Sequence, residues 1–151
     1  MINDKLRSYL DNQSVPYQTE PHEPTIDASR TAQAAHVPGR EFAKTVIVKA
    51  DGRMLMAVLP STDQVHVDEL RKALGARELE LASEDEIRSA FPDCEVGAMP
   101  PFGNLYNMDV FVNEHLRQDE QIWFNAGSHD EVMRISWKDF DNLVHPQVLH
   151  F

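Results

Sequence analysis

The stretch TVIVKADGRMLMAVLP, residues 45–60, decides the fold class of this chain. Two runs of β-branched and aliphatic residues flank Asp51 and Gly52, and Asp-Gly is a preferred dipeptide of two-residue hairpin turns. The residues from Thr45 to Val48 are β-branched, which predicts a strand that is buried on both faces. The stretch therefore predicts two antiparallel strands and argues against a purely parallel, doubly wound sheet.

Helical and strand patterns alternate on both sides of the hairpin. Helices are predicted over residues 2–10, about 27–36, 67–75, 83–91 and 136–144, with a capping box at Ser83 and Glu86. Strands are predicted over residues 78–82, 108–112, 121–126 and 132–136, and the proline-rich residues 15–24 are predicted as extended chain. We therefore predict a mixed α/β, α+β-like fold, in which helices pack on a mixed, partly antiparallel sheet or open barrel. The length suits a single domain over residues 1–151.

The composition is that of a water-soluble globular protein. Hydrophobic residues make up 42% of the chain and charged residues 26%, and no apolar run is long enough to span a bilayer. The N-terminal residues are polar and amphipathic without an apolar signal core, so a cytoplasmic location is expected. The net charge of −11 argues against general binding of nucleic acid, which depends on a basic surface.

Sequence motifs for a metal, a phosphate cradle or a covalent nucleophile are absent. No two of the seven histidines have the i, i+4 spacing of a helical zinc pair, and the single cysteine excludes a disulfide and a Cys-rich zinc site. Histidines from distant positions could still meet at a metal, although scattered histidines are the simpler interpretation. Cys94 precedes Gly97 closely, but the adjacent Glu95 disfavours a thiolate, so we interpret Cys94 as a packed small residue. We expect neither a metal nor a cofactor.

Three short segments are candidates for a site. Lys44 enters the predicted buried strand directly after an apolar pair. Residues 96–104, VGAMPPFGN, place two prolines and two glycines in an apolar loop, which neither a helix nor a central strand accommodates. Residues 124–129, FNAGSH, end a strand in a polar turn. Taken singly, each segment has a purely structural explanation: a lysine that reaches solvent, a chain break and an ordinary turn.

In their order along the chain, these segments resemble one family. AKTVIVK, GAMPPFGN, FNAGSH and a last helix with the pattern S-x-x-D-F are similar to the YbaK and prolyl-tRNA-synthetase editing-domain family. Residues 44–48 match the family's lysine at the start of a core strand, and residues 97–103 match its Gly-x-x-x-Pro loop. Residues 125–129 resemble the polar turn of the free-standing branch that edits alanine on proline tRNA. The resemblance covers nearly the whole chain.

The resemblance implies an ester hydrolase with a YbaK-like fold. Such aminoacyl-tRNA deacylases use water to remove a wrong amino acid from the terminal ribose of a tRNA, without a metal or a covalent nucleophile. The implied partner is the acceptor end of a mischarged tRNA, above all Ala-tRNA(Pro), with an aminoacyl-tRNA synthetase as an additional partner and with neither DNA nor a membrane. The implied catalytic residues are Lys44, Gly97 and Pro101. The implied substrate-binding residues are Thr45, Met99, Phe102, Gly103, Asn125, Gly127, Ser128 and His129, with Ile47, Ala28 and Ala32 as further pocket lining.

Two interpretations from other functional classes stay open at this stage. A YbaK-like binding module without catalysis would suit the acidic surface, and a small aminoacyl esterase would need no contact with RNA. The role of His129 is also open, since a histidine there could contact the substrate, transfer a proton or cap the turn. Pro100 adds stiffness to the loop.

Overall fold

Eight strands and five α-helices form in residues 3–23, 28–34 and 37–151, the part of the chain that the computed structural model describes. The strands are β1 (Gln18–Pro21), β2 (Phe42–Ala50), β3 (Arg53–Pro60), β4 (Leu79–Leu81), β5 (Val110–Asn113), β6 (Gln121–Asn125), β7 (Glu131–Ser136) and β8 (Gln147–Leu149). The helices are α1 (Asp4–Asn12), α2 (Ala28–Ala34), α3 (Val67–Leu74), α4 (Glu84–Ala90) and α5 (Trp137–Val144). Each predicted helix and strand has a counterpart here. The predicted helical residues Ile2, Asp27, Ala35 and His36, and the side chain of Ala28, lie outside the described part.

The predicted hairpin stands at the centre of the sheet. β2 and β3 pair antiparallel up to Ala50 opposite Arg53. The turn residues Asp51 and Gly52 have φ values of 50° and 83°, as a two-residue turn with two left-handed positions requires. The predicted antiparallel pairing is therefore confirmed.

Parallel and antiparallel strands share one sheet. The strand order is β1-β7-β6-β2-β3-β5-β8, and β4 pairs with β2 beside this path. β6 runs parallel to β2, and β5 runs parallel to both β3 and β8, whereas the other pairs are antiparallel. The expected fold class, a mixed α/β fold with a partly antiparallel sheet, is confirmed. The sequence patterns do not predict β8, which has only three residues. They do not predict the parallel pairs either, because pairing between distant strands leaves no local signal.

One edge of β2 is divided between two partners. Its first two residues pair with Trp123 and Phe124 of β6, and its last three residues pair with β4. Within the described part of the chain, residues 44–46 have no strand partner on this edge. The sheet therefore opens between β6 and β4, and Lys44 stands at the beginning of the opening.

The two faces of the sheet bury different clusters of apolar side chains. The main cluster contains Ala43 and Ile47 of β2, Phe124 of β6, and Met99 and Phe102 of the proline-rich loop. This cluster is the core against which the loop is built.

The opposite face carries two smaller clusters. Val48 of β2 belongs to a cluster with Leu70 of α3, and Phe42 belongs to a cluster with Ala32 of α2. Because side chains alternate along a strand, Lys44 shares this face with Phe42 and Val48. Lys44 thus lies between two helix-covered clusters, on the face away from the main core.

Helix ends follow the local sequence signals. α3 ends at Gly75, whose φ of 69° is the left-handed conformation that closes many helices. α4 begins after Ser83, whose hydroxyl accepts the N–H of Glu86 while the Glu86 carboxylate accepts the N–H of Ser83. The predicted capping box is therefore confirmed. No helix within the described ranges combines the length and the apolar character that crossing a membrane requires.

Phe102→Ala should show how strongly the loop depends on the core. The Phe102 ring is fully buried, and its centre lies 5.5 Å from that of Phe124 and 5.6 Å from that of Phe140. We expect the variant to lose about 3–5 kcal/mol of unfolding free energy, the usual cost of truncating a buried aromatic ring. The control Leu81→Ala, at a side chain that is 54% exposed, should change it by less than about 0.5 kcal/mol. Urea denaturation measures both, and equal losses would contradict the core role of Phe102.

Glu86 should make the stability depend on pH. Its carboxylate lies 2.8 Å from Nζ of Lys49, and the hydrogen bonds from Lys49 and then Ser83 lower its pKa from 4.5 to about 2. Because the folded-state pKa is below that of the unfolded chain, this stabilisation is complete above about pH 4.5. It is lost as the pH falls towards about 2.

Glu86→Gln removes this pH-dependent contribution. In urea denaturation, the variant should lose less stability than the wild type between about pH 5 and about pH 3. Glu120→Gln, at an exposed carboxyl, should keep the wild-type dependence. A Glu86→Gln variant with the wild-type dependence would show that this carboxylate has the same pKa in both states.

Candidate functional site

Two of the predicted segments form one connected unit, which we call the proline loop (residues 97–103) and the polar turn (residues 125–129). The N–H of Gly127 donates to the carbonyl of Ala98 over 2.9 Å. The N–H of Glu95 donates to the carbonyl of Gly127 over 2.8 Å. The backbone of the polar turn therefore fixes the position of the proline loop.

His129 fastens the polar turn to the start of the proline loop. Its Nε2 lies 2.7 Å from the carbonyl oxygen of Val96, and its backbone N–H donates to the carboxylate of Glu95 over 3.2 Å. Because a carbonyl oxygen only accepts, this contact assigns the proton to Nε2 and leaves Nδ1 as an acceptor in the neutral ring. Nδ1 is buried and has no hydrogen-bond partner within the described residues.

Gly97 lies against the ring of His129. A Cβ atom at position 97 would stand 3.4 Å from Cε1 of His129, and the φ of Gly97 is 88°. Glycine adopts this left-handed conformation without the steric cost of a side chain. Gly97 is exposed, whereas residues 98–103 are buried. The proline loop therefore presents its backbone to solvent at Gly97.

Three residues of the proline loop are buried and pack beneath its exposed backbone. Met99 is only 4% exposed, and its Sδ accepts the N–H of Gly97 over 3.2 Å. Phe102 is fully buried in the main cluster. Gly103 is buried where a Cβ atom would collide with the carbonyl oxygen of Met108. These placements favour packing roles for Met99, Phe102 and Gly103 over the direct substrate contacts expected from the sequence.

Gly127 and Ser128 serve the conformation of the polar turn. Gly127 has a φ of 107°, and a Cβ atom there would stand 2.7 Å from Cβ of Asn3, so a glycine lets the start of α1 approach closely. Ser128 is 7% exposed, and its hydroxyl donates to the carboxylate of Asp130 over 2.5 Å. These contacts favour turn-forming roles for both residues.

Lys44 stands where β2 parts from β6. Ala43 pairs with Phe124, and extending this parallel register by one residue places Asn125 beside Lys44. By strand alternation, the side chains of Lys44 and Asn125 leave the same face of the sheet. Burial of the half-buried Lys44 lowers its pKa, and the carboxylate of Asp63 acts in the opposite direction. A partly desolvated lysine at the polar turn can bind an anion or a developing negative charge.

The opening in the sheet joins two groups of predicted residues. Lys44 and Asn125 belong to one face, whereas Thr45 belongs to the face of the main cluster, to which the proline loop contributes. Among the described residues, none pairs with residues 44–46 as a strand at this edge. Lys44 and the proline loop therefore belong to opposite faces of the sheet, and the open edge of β2 is where a candidate site would have to join them.

Three buried polar atoms at predicted substrate-binding positions have no hydrogen-bond partner. They are Oγ1 of Thr45, Oδ1 of Asn125 and Nδ1 of His129. In the described ranges, only His22 and Asp119 contribute further atoms of this kind. Because folded proteins pair nearly all of their buried polar groups, each of these atoms is expected to bond to water or to a ligand.

Some residues of the region have no signal in the sequence. The carbonyl of Val96 and the carboxylate of Glu95 hold His129, but a backbone carbonyl is not specified by residue type.

Cys94 is half-buried, and burial is the main cause that raises the pKa of its thiol to about 11. A protonated thiol suits the packing role expected for it. Within the described part of the chain, no three histidine, cysteine or acidic residues are grouped to hold a metal ion.

Comparisons with known proteins bear on the family. The family model of the aminoacyl-tRNA editing domain matches residues 22–143, most of the chain. The multifunctional Ser/Thr-tRNA deacylase ProXp-y of Escherichia coli (strain K12) is 21% identical over 156 aligned residues, which cover 100% of this chain and 93% of the relative. A proline–tRNA ligase of Leuconostoc citreum (strain KM20) is 28% identical over 121 residues, which cover 78% of this chain and 20% of the ligase.

A solved structure agrees with the fold. The crystal structure of a candidate trans-editing enzyme for prolyl tRNA synthetase superimposes with a TM-score of 0.81 at 18% identity, over 97% of this chain and 95% of that chain. The resemblance based on residues 44–48 and 97–103 is thus confirmed. By a match over most of its length, the chain belongs to the aminoacyl-tRNA editing domain family.

Proposed function

We propose that this protein hydrolyses the ester bond of mischarged aminoacyl-tRNA and releases a small, wrong amino acid without a metal. One observation carries the proposal: Lys44 and the polar turn directly follow the paired residues Ala43 and Phe124, and the backbone of the turn is bonded to the proline loop. Membership of the editing-domain family supports the class of reaction. The full-length match to a relative named as a tRNA deacylase supports it further.

Hydrolysis of this ester depends more on the positions of the water and the carbonyl group than on activation of a nucleophile. Water adds to the carbonyl carbon, the bond to the ribose oxygen breaks, and a free amino acid and a ribose hydroxyl are released. The ammonium of Lys44 would bind the phosphate or ribose of the terminal nucleotide, or stabilise the negative charge that develops on the carbonyl oxygen. Because Lys44 is half-buried, less water screens these interactions than at an open surface.

Gly97 and Pro101 would shape the ester's binding site. Gly97 offers exposed backbone with no side chain in the way. Pro101 and Pro100 restrict the loop backbone, so that binding has little further conformational freedom to remove. Hydrogen bonds from the polar turn hold the loop before any substrate arrives. The catalytic geometry would therefore be largely preformed.

Alanine on proline tRNA is the first candidate substrate, because the polar turn resembles that of alanine-editing relatives. Serine or threonine is the second candidate. The unpaired atoms at Thr45, Asn125 and His129 favour a substrate with an additional hydrogen-bond donor, such as a side-chain hydroxyl. The Escherichia coli relative, named as a Ser/Thr-tRNA deacylase, points in the same direction.

A synthetase would be a functional partner of this acidic protein. Proline–tRNA ligases contain a related segment within their own, longer chain. Residues 1–151, with a net charge of −11, gain little from general attraction to RNA. We propose that it works in the cytoplasm beside a synthetase that holds the mischarged tRNA.

Lys44→Ala tests the catalytic assignment. The wild type should release alanine, serine or threonine from at least one mischarged tRNA faster than buffer does. Lys44→Ala should lower kcat/KM for that substrate about tenfold or more, since it removes a positive charge near the ester. Lys138→Ala, at an exposed lysine of α5, should keep the wild-type value. Release of the radiolabelled amino acid measures all three.

The same assay separates the alternatives. If no ester is cleaved faster than in buffer, even with prolyl-tRNA synthetase added, the deacylase proposal is wrong and the binding-module interpretation gains support. If free small aminoacyl esters are cleaved as fast as aminoacyl-tRNA, the protein is a tRNA-independent esterase. If Lys44→Ala is as active as the wild type, the proposed role of Lys44 is wrong.

Gly97→Ala separates backbone strain from an effect on the site. Gly97 and Gly52 have φ values of 88° and 83°, so alanine at either position should lower the unfolding free energy by about 1–2 kcal/mol. A Cβ at position 97 would lie 3.4 Å from the ring of His129, whereas no atom of the described residues lies within 4 Å of a Cβ at position 52. We expect kcat/KM to fall about tenfold in Gly97→Ala and to stay unchanged in Gly52→Ala. Equal activities in the two variants would argue against a role of Gly97 in the site.

A further inference from the structure

A guanidinium and an indole ring lie on the same face of the sheet as Lys44, further along β6. Strand alternation places Gln121, Trp123 and Asn125 on this face. Arg134 of β7 stands directly opposite Trp123, and its guanidinium carbon lies 5.4 Å from the centre of the indole ring. Gln121 and Arg134 therefore lie beyond Trp123 from the candidate site, and Trp123 itself packs against the cluster of Phe42 and Ala32.

The guanidinium of Arg134 is held in place but not neutralised. Its contact with the ring of Trp123 restrains the side chain. Within the described part of the chain, Arg134 has no ion pair and no side-chain hydrogen bond, so its N–H donors are not engaged by an acid. A restrained guanidinium with unused donors is suited to bind a phosphate through two parallel hydrogen bonds.

Arg134 also lines a cavity of about 310 Å³. The cavity is also lined by the aromatic ring of Tyr17 and by the polar side chains of Gln18, Gln121, Ser136 and Asp139. Proteins that bind single-stranded RNA stack bases on aromatic rings or guanidinium planes and pair the base edges with polar side chains. The cavity thus offers a nucleobase both kinds of contact, beside a group that takes the phosphate.

We propose that this cavity binds a nucleotide of the single-stranded 3′ end of tRNA, next to the nucleotide that carries the ester. Its phosphate contacts Arg134, and its base lies against Tyr17 and the amides of Gln18 and Gln121. The proposal rests on the proposed function. Trp123 and Gln121 precede Asn125 on β6 by about 7 and 13 Å along the strand, a distance that a short single strand covers.

The test compares two substrates with the same ester. Aminoacyl-tRNA contains the upstream phosphates, whereas aminoacyl-adenosine contains the ester and the terminal nucleoside alone. Arg134→Gln should raise KM and lower kcat/KM about tenfold for aminoacyl-tRNA. For aminoacyl-adenosine, the variant and the wild type should have the same kcat/KM. The slope of log kcat/KM against log salt concentration should shrink by about 0.7, the value for one phosphate of a single strand. Arg134→Lys should recover part of the loss, because it restores the charge without the bidentate geometry.

Arg88→Gln is the matched control, since it removes the same charge from an exposed arginine of α4 that pairs with Glu84 and Asp85. It should behave as the wild type on both substrates. If Arg134→Gln cleaves aminoacyl-tRNA as the wild type does, or is equally impaired on both substrates, the subsite is overturned. Thermal unfolding of each variant shows that a change in rate does not come from a loss of the fold.

A binding experiment keeps the subsite testable if no ester is cleaved. The trinucleotide cytidylyl-cytidylyl-adenosine, the 3′ end that tRNAs share, is titrated while tryptophan fluorescence is recorded in a Trp137→Phe background, where Trp123 is the remaining tryptophan. We expect saturable binding that weakens about tenfold in Arg134→Gln and not in Arg88→Gln. Such binding without hydrolysis would contradict the proposed function and retain the subsite. Binding that is absent, or equal in all variants, would contradict the subsite.

Discussion

The divided edge of β2 is the constraint on which the candidate site depends. A strand inside a sheet uses its backbone donors and acceptors on both edges. β2 gives one edge to β3 and divides the other between β6 and β4, so residues 44–46 lose their strand partner where β6 turns away after Asn125. The proposed role of Lys44 depends on this divergence, since Lys44 is the first residue of β2 beyond the pairing with β6.

The proline loop suits this opening because it cannot continue the sheet. Pro100 and Pro101 are buried and have no N–H to leave unpaired, so a loop of this kind packs against the core at little polar cost. Phe102 anchors the loop from behind, and the polar turn bonds to its backbone. Gly97 is then the residue of the loop whose backbone is exposed, and in the proposed function the ester would bind there. The additional proline at position 100 increases the rigidity of a loop that packing already constrains.

Local sequence signals predict local structure, but they do not predict which distant segments lie next to each other. The Asp-Gly dipeptide and the Ser83–Glu86 capping box each act within a few residues, and both were found as predicted. The position of Lys44 beside Asn125 depends on a parallel pairing between strands far apart in the sequence. The bond between His129 and residue 96 uses a backbone carbonyl, which any residue type supplies. From the sequence, Phe102 is expected in the wall of a pocket, whereas the structure buries it in the main cluster. Hydrophobicity alone does not distinguish these two positions.

Local charge, more than net charge, decides whether an acidic protein can act on RNA. At physiological ionic strength, exposed charges more than about 8 Å away are largely screened, so most of the excess carboxylates contribute little at the opening of β2. In the proposals above, Lys44 and Arg134, which share one face of the sheet, would supply the local positive charge. A net charge of −11 meanwhile weakens non-specific attraction to correctly charged tRNA. In the proposed function, selection would rest on the fit of the amino acid and the 3′ end, and a synthetase would supply the affinity for the rest of the tRNA.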